Sequence, residues 1–360
     1  MIVKGDNKLA NNIQTVLVIQ IGDIGDVVLS LPVLRAIKEN LPGVSVIYAV
    51  RAKAASLAEA CQWADNVVAI DTTKRNVAGA IKYQMDFFNN LRSHRIDLAI
   101  DLRMDPRGAV LALLSGARQR IGFFAENGRL WRNRMFTHLW NPRPIPGQHM
   151  IEYLVRLPGA FGLKAADLAP RIQPSDQHKQ QATALLEETG ISEASPLLAI
   201  QPFSLWRYKE WGGDKYIDLI RHFTAKDKIQ VIVLGSPEEA ARAGLIVEQT
   251  AQRRVHSLAG KTSIGLLPAI LERCDLSIGG DSAGLHIAAA VGTPTIAIFG
   301  PSAPHVWAPT GKRHRIIDKG LSCIPCNLKG CEGMGTSRCL EELSVGEVIA
   351  EVETALKKVK

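Results

Sequence analysis

Residues 276–290 read LSIGGDSAGLHIAAA, an apolar strand pattern that ends in two glycines and runs directly into an alanine-rich helix pattern. The first amides of a helix have no partner within it, and together with the helix dipole they attract a phosphate. Ser282, Ala283 and Gly284 are small, which leaves room for phosphates to approach. Asp281 or Ser282 could instead only cap the helix, and both roles can hold together. We therefore predict a strand, a loop and a helix, with a diphosphate site at the loop.

The same alternation of strand and helix patterns extends from this stretch along most of the chain. In the second half, strands are predicted at residues 197–202, 230–235, 255–258, 276–280 and 295–300, with helices at 214–223, 237–250, 264–274 and 283–291. In the first half, strands at 15–21, 44–50, 66–70 and 97–102 alternate with helices at 27–40, 54–61 and 77–93. This order is typical of parallel sheets with helical crossovers.

A break in the pattern predicts two domains. Three prolines fall within residues 141–146, and an amphipathic stretch at 149–161 and a polar stretch at 173–181 follow them. We predict an α/β fold with two Rossmann-like, doubly wound domains that face a central cleft. The domains would cover residues 1–175 and 176–343, the second including a cysteine-rich loop at 320–340. A final amphipathic helix at 344–360 would pack back towards the N-terminal domain.

Composition narrows the compartment and the class of protein. The chain has 360 residues, of which 46% are apolar and 22% charged, as in globular proteins. Its first apolar run, at residues 16–21, is too short for a signal sequence or a membrane span, and no other run is long enough either. Six cysteines in a chain of this size do not indicate a disulfide framework. We therefore expect a cytoplasmic protein.

The net charge of +8 is unevenly distributed. One segment carries most of the local excess of arginine over acidic residues: Arg103, Arg107, Arg118, Arg120, Arg129, Arg132, Arg134 and Arg143. Such a segment attracts anions, so we predict that its first four arginines contact an acidic acceptor, although a solvated loop is the simpler alternative. No helix-turn-helix, RNA-recognition or finger pattern accompanies the charge, and we do not predict nucleic-acid binding.

Two further stretches suggest a family. Residues 281–290 are followed at 292–301 by GTPTIAIFGP, and residues 25–32 read GDVVLSLP. These stretches resemble glycosyltransferase family 9, the lipopolysaccharide heptosyltransferases, whose members carry D-[ST]-G-x-x-H-x-A-A-A, then G-x-P-T-x-x-[LF]-F-G-P, and an early G-D-x-x-x-x-L-P. The chain departs from this pattern at Ala283, where the family has glycine, with Gly284 one place later.

The resemblance implies roles for particular residues. Asp26 would be the general base, because an inverting transfer needs one carboxylate to take the proton of the acceptor hydroxyl. Asp23 is a competitor by composition, and an N-cap is the structural alternative for Asp26. Ser204 and Lys209, in the stretch QPFSLWRYKEW at 201–211, would bind the donor phosphates without a metal or other cofactor, and Arg207 could share that role.

Other positions carried over from the family concern the rest of the donor. Either Glu238 or Glu239 would contact the ribose, although acidic residues also stabilise a first helical turn by themselves. Thr262 lies in the segment expected beside the adenine, where Ser263 could simply be a cap. His286 would donate to a phosphate or hold the phosphate loop.

The cysteines form two groups. Cys323, Cys326, Cys331 and Cys339 have the spacing C-x2-C-x4-C-x7-C, and four thiolates could bind zinc. This is not a standard two-knuckle spacing, so free thiols or a disulfide are comparable alternatives and we assign no metal. Cys61 and Cys274 lie in helix patterns and are interpreted as core thiols.

The sequence therefore predicts an inverting heptosyltransferase that uses ADP-heptose and acts on the acidic inner core of lipopolysaccharide, in peripheral contact with the inner membrane. Two alternatives stay open: a glycosyltransferase or epimerase of the same fold that uses a UDP-sugar, and an inactive nucleotide-binding or scaffold protein. A dehydrogenase is disfavoured because residues 22–25 lack the full G-x-G-x-x-G spacing.

Overall fold

The chain forms two units, residues 1–171 and 172–360, in the computed structural model. The structure describes residues 1–73, 76–126, 130–192, 194–226 and 229–359. Each unit is built around one sheet with its own hydrophobic core. The sequence predicts the domain boundary after residue 175, a few residues beyond the break between the two units.

The first unit contains a seven-stranded sheet in the order β1-β7-β6-β5-β2-β3-β4, in which only the β1–β7 pair is antiparallel. The strand Thr15–Gln20 lies inside the sheet with Val16 to Ile19 fully buried, which is why its sequence is a continuous apolar run. The strands are Ile2–Lys4 (β1), Thr15–Gln20 (β2), Ser45–Arg51 (β3), Asn66–Ile70 (β4), Leu98–Asp101 (β5), Gln119–Phe123 (β6) and His138–Trp140 (β7). The helices are Ile24–Leu29 (α1), Leu31–Asn40 (α2), Ala55–Ala58 (α3), Val77–Ser93 (α4), Pro106–Leu114 (α5), Leu130–Asn133 (α6) and Met150–Gly159 (α7).

A break at Ser30 divides the single helix predicted at 27–40 into α1 and α2. Pro32 lies at the start of α2, where a residue without an amide donor is tolerated because that donor has no helical partner. The buried Ser30 hydroxyl donates to the Val27 carbonyl at 2.9 Å and lies 2.6 Å from the Tyr48 hydroxyl. The short α1 therefore has a fixed position directly after β2.

The second unit contains a six-stranded, fully parallel sheet in the order β10-β9-β8-β11-β12-β13. Its strands are Leu197–Gln201 (β8), Gln230–Val233 (β9), Val255–Ser257 (β10), Leu276–Gly280 (β11), Thr295–Ile298 (β12) and His314–Ile317 (β13). Its helices are Asp176–Glu188 (α8), Gly213–Lys226 (α9), Ala240–Thr250 (α10), Leu267–Glu272 (α11), Ala283–Ala290 (α12), Pro304–Trp307 (α13), Arg338–Glu341 (α14) and Val345–Val359 (α15).

The last helix, α15, belongs to the second unit. Val348 and Val352 are fully buried in the core of that unit, and Arg315 and Lys319 bond to glutamates on the helix. The sequence predicts a separate segment at 344–360 directed towards the N-terminal domain; its apolar face is instead used within the second unit. No helix in the described parts of the chain is long and apolar enough to cross a membrane.

Candidate active site

Both sheets have a point at which the chain reverses its direction of winding. In the first unit the chain continues from β2 to β3 and β4 on one side, and β5, β6 and β7 lie on the other. In the second unit β8 and β11 are neighbours in the same way. At such a point the loops after the two strands separate and leave a crevice at the carboxyl edge, where ligands of this fold class bind.

Asp26 lies at this point in the first unit. Its Oδ2 accepts from the Asp23 amide at 2.9 Å and from Arg103 Nη1 at 3.0 Å. A β-carbon on Gly22 would overlap Asp26 Oδ2, so glycine is needed there for the carboxylate to approach the loop. Among the described residues, no donor reaches Asp26 Oδ1. The carboxylate is therefore held by one oxygen while the other can accept a proton.

The alternative candidate, Asp23, has different hydrogen-bond and ion-pair partners from Asp26. Asp23 is the N-cap of α1. Asp26 is the third residue of that helix, so it is not the N-cap itself, but its side chain completes the capping box by accepting from the Asp23 amide. Asp23 Oδ1 lies 2.7 Å from Lys53 Nζ and 3.2 Å from Arg51 Nη1. The hydrogen bond from Lys53 and the charges of Lys53 and Arg51 lower the pKa of Asp23. Two cations therefore make Asp23 a weaker base than an ordinary aspartate.

A buried ion pair positions Arg103. Arg132 and Asp101 are both fully buried, and Arg132 Nη2 donates to Asp101 Oδ2 at 2.9 Å and to the Arg103 carbonyl at 2.6 Å. Asp101 Oδ1 accepts from the Arg103 amide at 3.0 Å. Burial raises the pKa of Asp101, and the charge of Arg132 opposes that rise. Sequence reasoning missed this pair, because nothing local distinguishes Arg132 from the surrounding arginines.

The arginine-rich segment is divided by the sheet. Arg103 and Arg107 follow β5 at the carboxyl edge. Arg103 bonds to Asp26, and Arg107 is linked to Arg103 through Asp105. Arg118 and Arg120 lie at the start of β6, which is parallel to β5, so they are at the opposite edge and do not join this cluster. The Arg120 guanidinium donates to the Ala117 and Met135 carbonyls, both at 2.7 Å. Their predicted contact with the acceptor is therefore corrected, and Arg129 lies outside the described residues.

In the second unit, Lys209 and Asp281 meet at the point where the winding reverses. Lys209 Nζ lies 2.6 Å from Asp281 Oδ2, and Ser204 Oγ donates to the Asp281 carbonyl at 3.3 Å. The loop that carries them is anchored by Glu210, which accepts from the Ser204 amide at 3.2 Å and pairs with Arg242. The Lys209 ammonium group and the Ser204 hydroxyl are thus held beside the start of α12.

The start of α12 is not capped by a side chain at its N-cap residue. Ser282 has extended backbone angles and makes no side-chain cap bond, so the capping interpretation of this residue is wrong. Ala283 begins the helix. Gly284 has a packing role, because a β-carbon there would overlap Oε1 of Gln201, whose amide donates to Ser277 Oγ at 2.7 Å. The small residues at 279–284 therefore let the loop after β8 approach the helix, as well as leaving its first amides accessible.

The predicted ribose and adenine residues follow β9 and β10 along the same edge. Ser236 and Glu239 form a capping box, in which Glu239 Oε2 accepts from the Ser236 amide at 2.7 Å. Glu238 is exposed and is not the third residue of this box, although hydrogen bonds from its own amide and from Ser236 lower its pKa. The loop with Thr262 is joined to this turn by the Gly260 amide, which donates to the Gly235 carbonyl at 3.1 Å. Ser263 caps the next turn, as its Oγ accepts from the Leu266 amide at 3.1 Å.

His286, Cys61 and Cys274 are buried, whereas the segment 323–339 contacts Pro301 after β12 and Tyr208 beside Lys209. His286 is 6% exposed, one turn into α12, where holding the loop fits better than direct contact with a ligand. All six cysteines are free thiols. Cys61 and Cys274 are buried, as predicted, and burial raises the pKa of Cys61 to about 11. Among the described residues, no three His, Cys, Asp or Glu side chains are arranged to hold a metal, so the zinc alternative for Cys323, Cys326, Cys331 and Cys339 gains no support.

Comparison with known proteins addresses both sequence and fold. The model of glycosyltransferase family 9 (heptosyltransferase) matches residues 84–335. Lipopolysaccharide heptosyltransferase 3 of Escherichia coli K12 is 26% identical over 288 residues, 79% of this chain and 82% of that protein.

Two solved structures resemble the fold over nearly their whole length. E. coli ADP-heptose lipopolysaccharide heptosyltransferase II superposes with a TM-score of 0.77 at 21% sequence identity. The superposition covers 96% of this chain and 99% of that protein. The family 9 glycosyltransferase of Veillonella parvula DSM 2008 superposes with a TM-score of 0.84 at 20% sequence identity. The superposition covers 98% of this chain and 100% of that protein. This confirms the predicted α/β fold with two Rossmann-like domains, which in glycosyltransferases is called GT-B.

Proposed function

The chain belongs to glycosyltransferase family 9, the heptosyltransferases, and on this basis we propose that it transfers a heptose from ADP-heptose to the inner core of lipopolysaccharide. The relative from E. coli K12 is named a lipopolysaccharide heptosyltransferase, and the similar E. coli structure is named for ADP-heptose. Glycosyl transfer follows from the family; the donor, the acceptor and the stereochemistry are the proposal.

The observation that carries the proposal is the environment of Asp26. Its carboxylate is at a crevice of the first sheet, with Oδ2 held by Arg103 and the Asp23 amide and Oδ1 open. A carboxylate in this state accepts a proton from an acceptor hydroxyl as that oxygen attacks the anomeric carbon. The new bond forms on the face opposite the departing diphosphate, so the product is inverted.

The second unit supplies groups for the leaving ADP. Lys209 pairs with Asp281 at 2.6 Å in the structure, and we propose that Lys209 turns to the diphosphate when the donor binds. Ser204 and the first amides of α12 would donate to the same oxygens, which stabilises the developing charge. Glu238 would accept from the ribose hydroxyls and Thr262 would lie beside the adenine. No cofactor is required in this scheme.

The acceptor is proposed to be acidic. Arg103 and Arg107 lie near Asp26, and Arg107 is 62% exposed, so both can contact a phosphate or carboxylate of the lipopolysaccharide core. An acceptor that is anchored in a bilayer would bring the enzyme to the cytoplasmic face of the inner membrane, as a peripheral contact.

The test compares Asp26→Asn with Asp23→Asn. Asparagine retains an oxygen that can accept from the Asp23 amide, so Asp26→Asn preserves the loop while removing the base. We expect kcat for heptose transfer to a heptose-deficient lipopolysaccharide to fall by roughly 10²- to 10⁴-fold in Asp26→Asn. Asp23→Asn, if folded by circular dichroism, should retain most of its activity. Transfer by Asp26→Asn at the parent rate would overturn the role of Asp26.

The donor is tested separately by ligand-induced stabilisation. ADP and ADP-heptose should raise the melting temperature, and UDP and UDP-sugars should not. Stabilisation by uridine compounds alone would favour the UDP-sugar alternative, and binding of ADP-heptose without turnover would favour an inactive nucleotide-binding protein. Activity that persists in excess EDTA is expected if Lys209 and Ser204 carry the phosphate charge.

A further inference from the structure

A cavity of about 430 Å³ lies in the first unit, next to the Asp26 crevice. Its wall includes Ile21, Arg51 and Ile70, which stand at the carboxyl ends of β2, β3 and β4. Since these strands are parallel, the cavity opens at the same sheet edge as Asp26. Of the residues that line this cavity, only Arg107 has a role in the function proposed above.

The interior of the cavity is largely apolar and aromatic. Helix α4 contributes Tyr83, Phe87 and Phe88, and α5 contributes Val110 and Leu111. The Phe87 and Phe88 rings pack edge to face with centroids 5.2 Å apart. The Tyr83 hydroxyl accepts from the Asp71 amide at 2.9 Å, which connects α4 to the end of β4. A wall of this kind excludes water and suits an aliphatic chain rather than a sugar.

The charged residues that line the cavity are Arg51, Arg107 and Asp71, which together give the lining a net positive charge. Arg51 lies on the rim and reaches Asp23 at 3.2 Å, and Arg107 lies on the rim with a largely exposed side chain. Arg107 and Arg103 both lie 3.8 Å from Asp105, and Arg103 bonds to Asp26 at 3.0 Å. An anion on the rim would thus be linked through one chain of ion pairs to the carboxylate proposed as base.

The outer side of α4 is also apolar. Val77, Ile81 and Met85 follow one another at helical spacing and are 79%, 56% and 60% exposed. Isolated exposed apolar side chains are common, but these three lie in one stripe on the helix that also lines the cavity. Such a stripe favours a ligand with a long aliphatic part over a small apolar metabolite.

We propose that the cavity binds the aliphatic chain of an acidic amphiphile, with its anionic group at Arg51 and Arg107. The amphiphile is an acylated form of the acceptor glycolipid, an identification that rests on the proposed function. In this arrangement the lipid chain anchors the acceptor while its sugar extends along the sheet edge towards Asp26. The cavity is an acyl subsite of the acceptor site.

The binding test uses monomeric decyl phosphate and a pair of matched variants on α4. Ala80 lines the cavity and Ala78 is exposed on the same helix outside it. Ala80→Phe fills the cavity and should weaken decyl phosphate binding, measured by calorimetric titration, by roughly tenfold or more, since each buried methylene contributes about fourfold in affinity. Ala78→Phe should bind as the parent does. Equal binding by Ala80→Phe would overturn the proposal.

Further variants distinguish filling of the cavity from loss of folding and from loss of positive charge. Ala80→Leu is a smaller change that serves if Ala80→Phe is unfolded by circular dichroism. Arg107→Gln should weaken decyl phosphate but leave decyl maltoside unchanged, with Arg118→Gln at the opposite sheet edge as the control. If inorganic phosphate binds as tightly as decyl phosphate, the aliphatic chain contributes nothing to affinity. That result would overturn the proposal that the cavity binds an aliphatic chain.

A kinetic measurement distinguishes this inference from the proposed function. Ala80→Phe should raise KM for an acylated acceptor and leave KM for the deacylated acceptor and kcat for both unchanged. No heptose transfer by the parent enzyme would overturn the proposed function while decyl phosphate binding still tests the cavity. A response only to free decanoate or decyl phosphate, with equal KM for both acceptors, would show that a free amphiphile occupies the cavity and would overturn the acceptor assignment.

Discussion

At the scale of single residues, the site depends on close approaches that only glycine permits. Gly22 allows Asp26 to reach the loop after β2, and Gly284 leaves the space that Gln201 Oε1 occupies. Neither glycine has the left-handed backbone that usually explains this residue type. The family resemblance places a glycine one position earlier, at Ala283. The contact with Gln201 shows why the glycine at 284 is needed in this chain.

A substitution at Gly284 tests this explanation. Gly284→Ala would displace the buried Gln201 side chain from Ser277, and we expect a loss of about 1–3 kcal/mol in the free energy of unfolding, measured by urea unfolding. It should also reduce donor affinity, because Gln201 ends the strand that leads into the Ser204 and Lys209 loop.

Gly244→Ala is the control for Gly284→Ala. Gly244 lies in α10, and no atom falls within 4 Å of the position that a β-carbon would occupy there. Alanine in a helix interior loses less backbone entropy on folding than glycine, so this variant should gain about 0.5–1 kcal/mol in the same measurement. Equal effects at the two positions would contradict the packing role of Gly284.

At the scale of elements, helix starts decide which acidic residues are left for ligands. Glu239 is used in the capping box of its turn, while Glu238 beside it is exposed. Asp23 caps α1, while Asp26 keeps one oxygen open. At the start of α15, the Ser344 amide donates to Glu347 Oε2 at 2.9 Å and the Glu347 amide donates to Ser344 Oγ at 3.3 Å. Capping therefore distinguishes Glu239 from Glu238, whereas Asp26 completes a capping box through Oδ2 and still has an open Oδ1.

The α15 cap predicts a dependence of stability on pH. Hydrogen bonds from Ser344 and Lys319 lower the pKa of Glu347 from its ordinary value of 4.5 to about 2. A lowered pKa stabilises the folded state above pH 4.5, and this contribution is lost as the pH falls towards 2. Glu347→Gln should therefore be less stable than the parent at pH 6, by under about 1 kcal/mol because the pair is solvent-screened. The difference between the two proteins should shrink below pH 4.5 and vanish only as the pH approaches about 2 in urea unfolding.

Glu248→Gln, on the exposed side of α10, is the matched control for Glu347→Gln. It should follow the parent over the whole pH range. A difference between Glu347→Gln and the parent that persists unchanged at low pH would show that the side chain acts through shape rather than charge.

At the scale of the whole molecule, the groups proposed to bind the donor and those proposed to act on the acceptor belong to different units, each with its own core. The proposed donor groups Ser204, Lys209 and Glu238 all lie in residues 172–360, and Asp26 and Arg103 lie in residues 1–171. Each set follows the same rule, since it gathers at the carboxyl edge where the winding of a parallel sheet reverses. A ligand of one unit should therefore stabilise that unit first.

Calorimetry tests this division. ADP at about 100 times its dissociation constant should stabilise the unit that binds it by about 2.7 kcal/mol. If the units unfold in separate transitions, ADP should raise the one that Gly284→Ala lowers and leave the other in place. Lys209→Gln should reduce the shift. A shift confined to the transition lowered by Ala80→Phe would place the nucleotide on the first unit and contradict the assignment.

Much of the architecture follows from short-range patterns. Strands β4 and β11 and helix α4 have the bounds that periodicity predicts, because alternation and helical spacing are set by backbone geometry within a few residues. The sequence does not predict strands β1, β6, β7 and β13, which have three to five residues and lie outside the recognised alternation. The equally short β10 is predicted because it falls between two recognised helices. The polar stretch at 173–181, which predicts a domain boundary, leads into α8, whose single buried face is too narrow to dominate its composition.

The sequence carries the motifs, the order of strands and helices, and the residue types of both sites, because each of these is encoded over a few neighbouring positions. Only the tertiary structure decides which arginines reach Asp26. Strand order places Arg103 and Arg107 at its edge, sends Arg118 and Arg120 to the other, and buries Arg132 against Asp101. Those outcomes depend on pairings between residues far apart in the chain, such as β2 with β5, and on the desolvation that follows when the sheet and helices close around a charge.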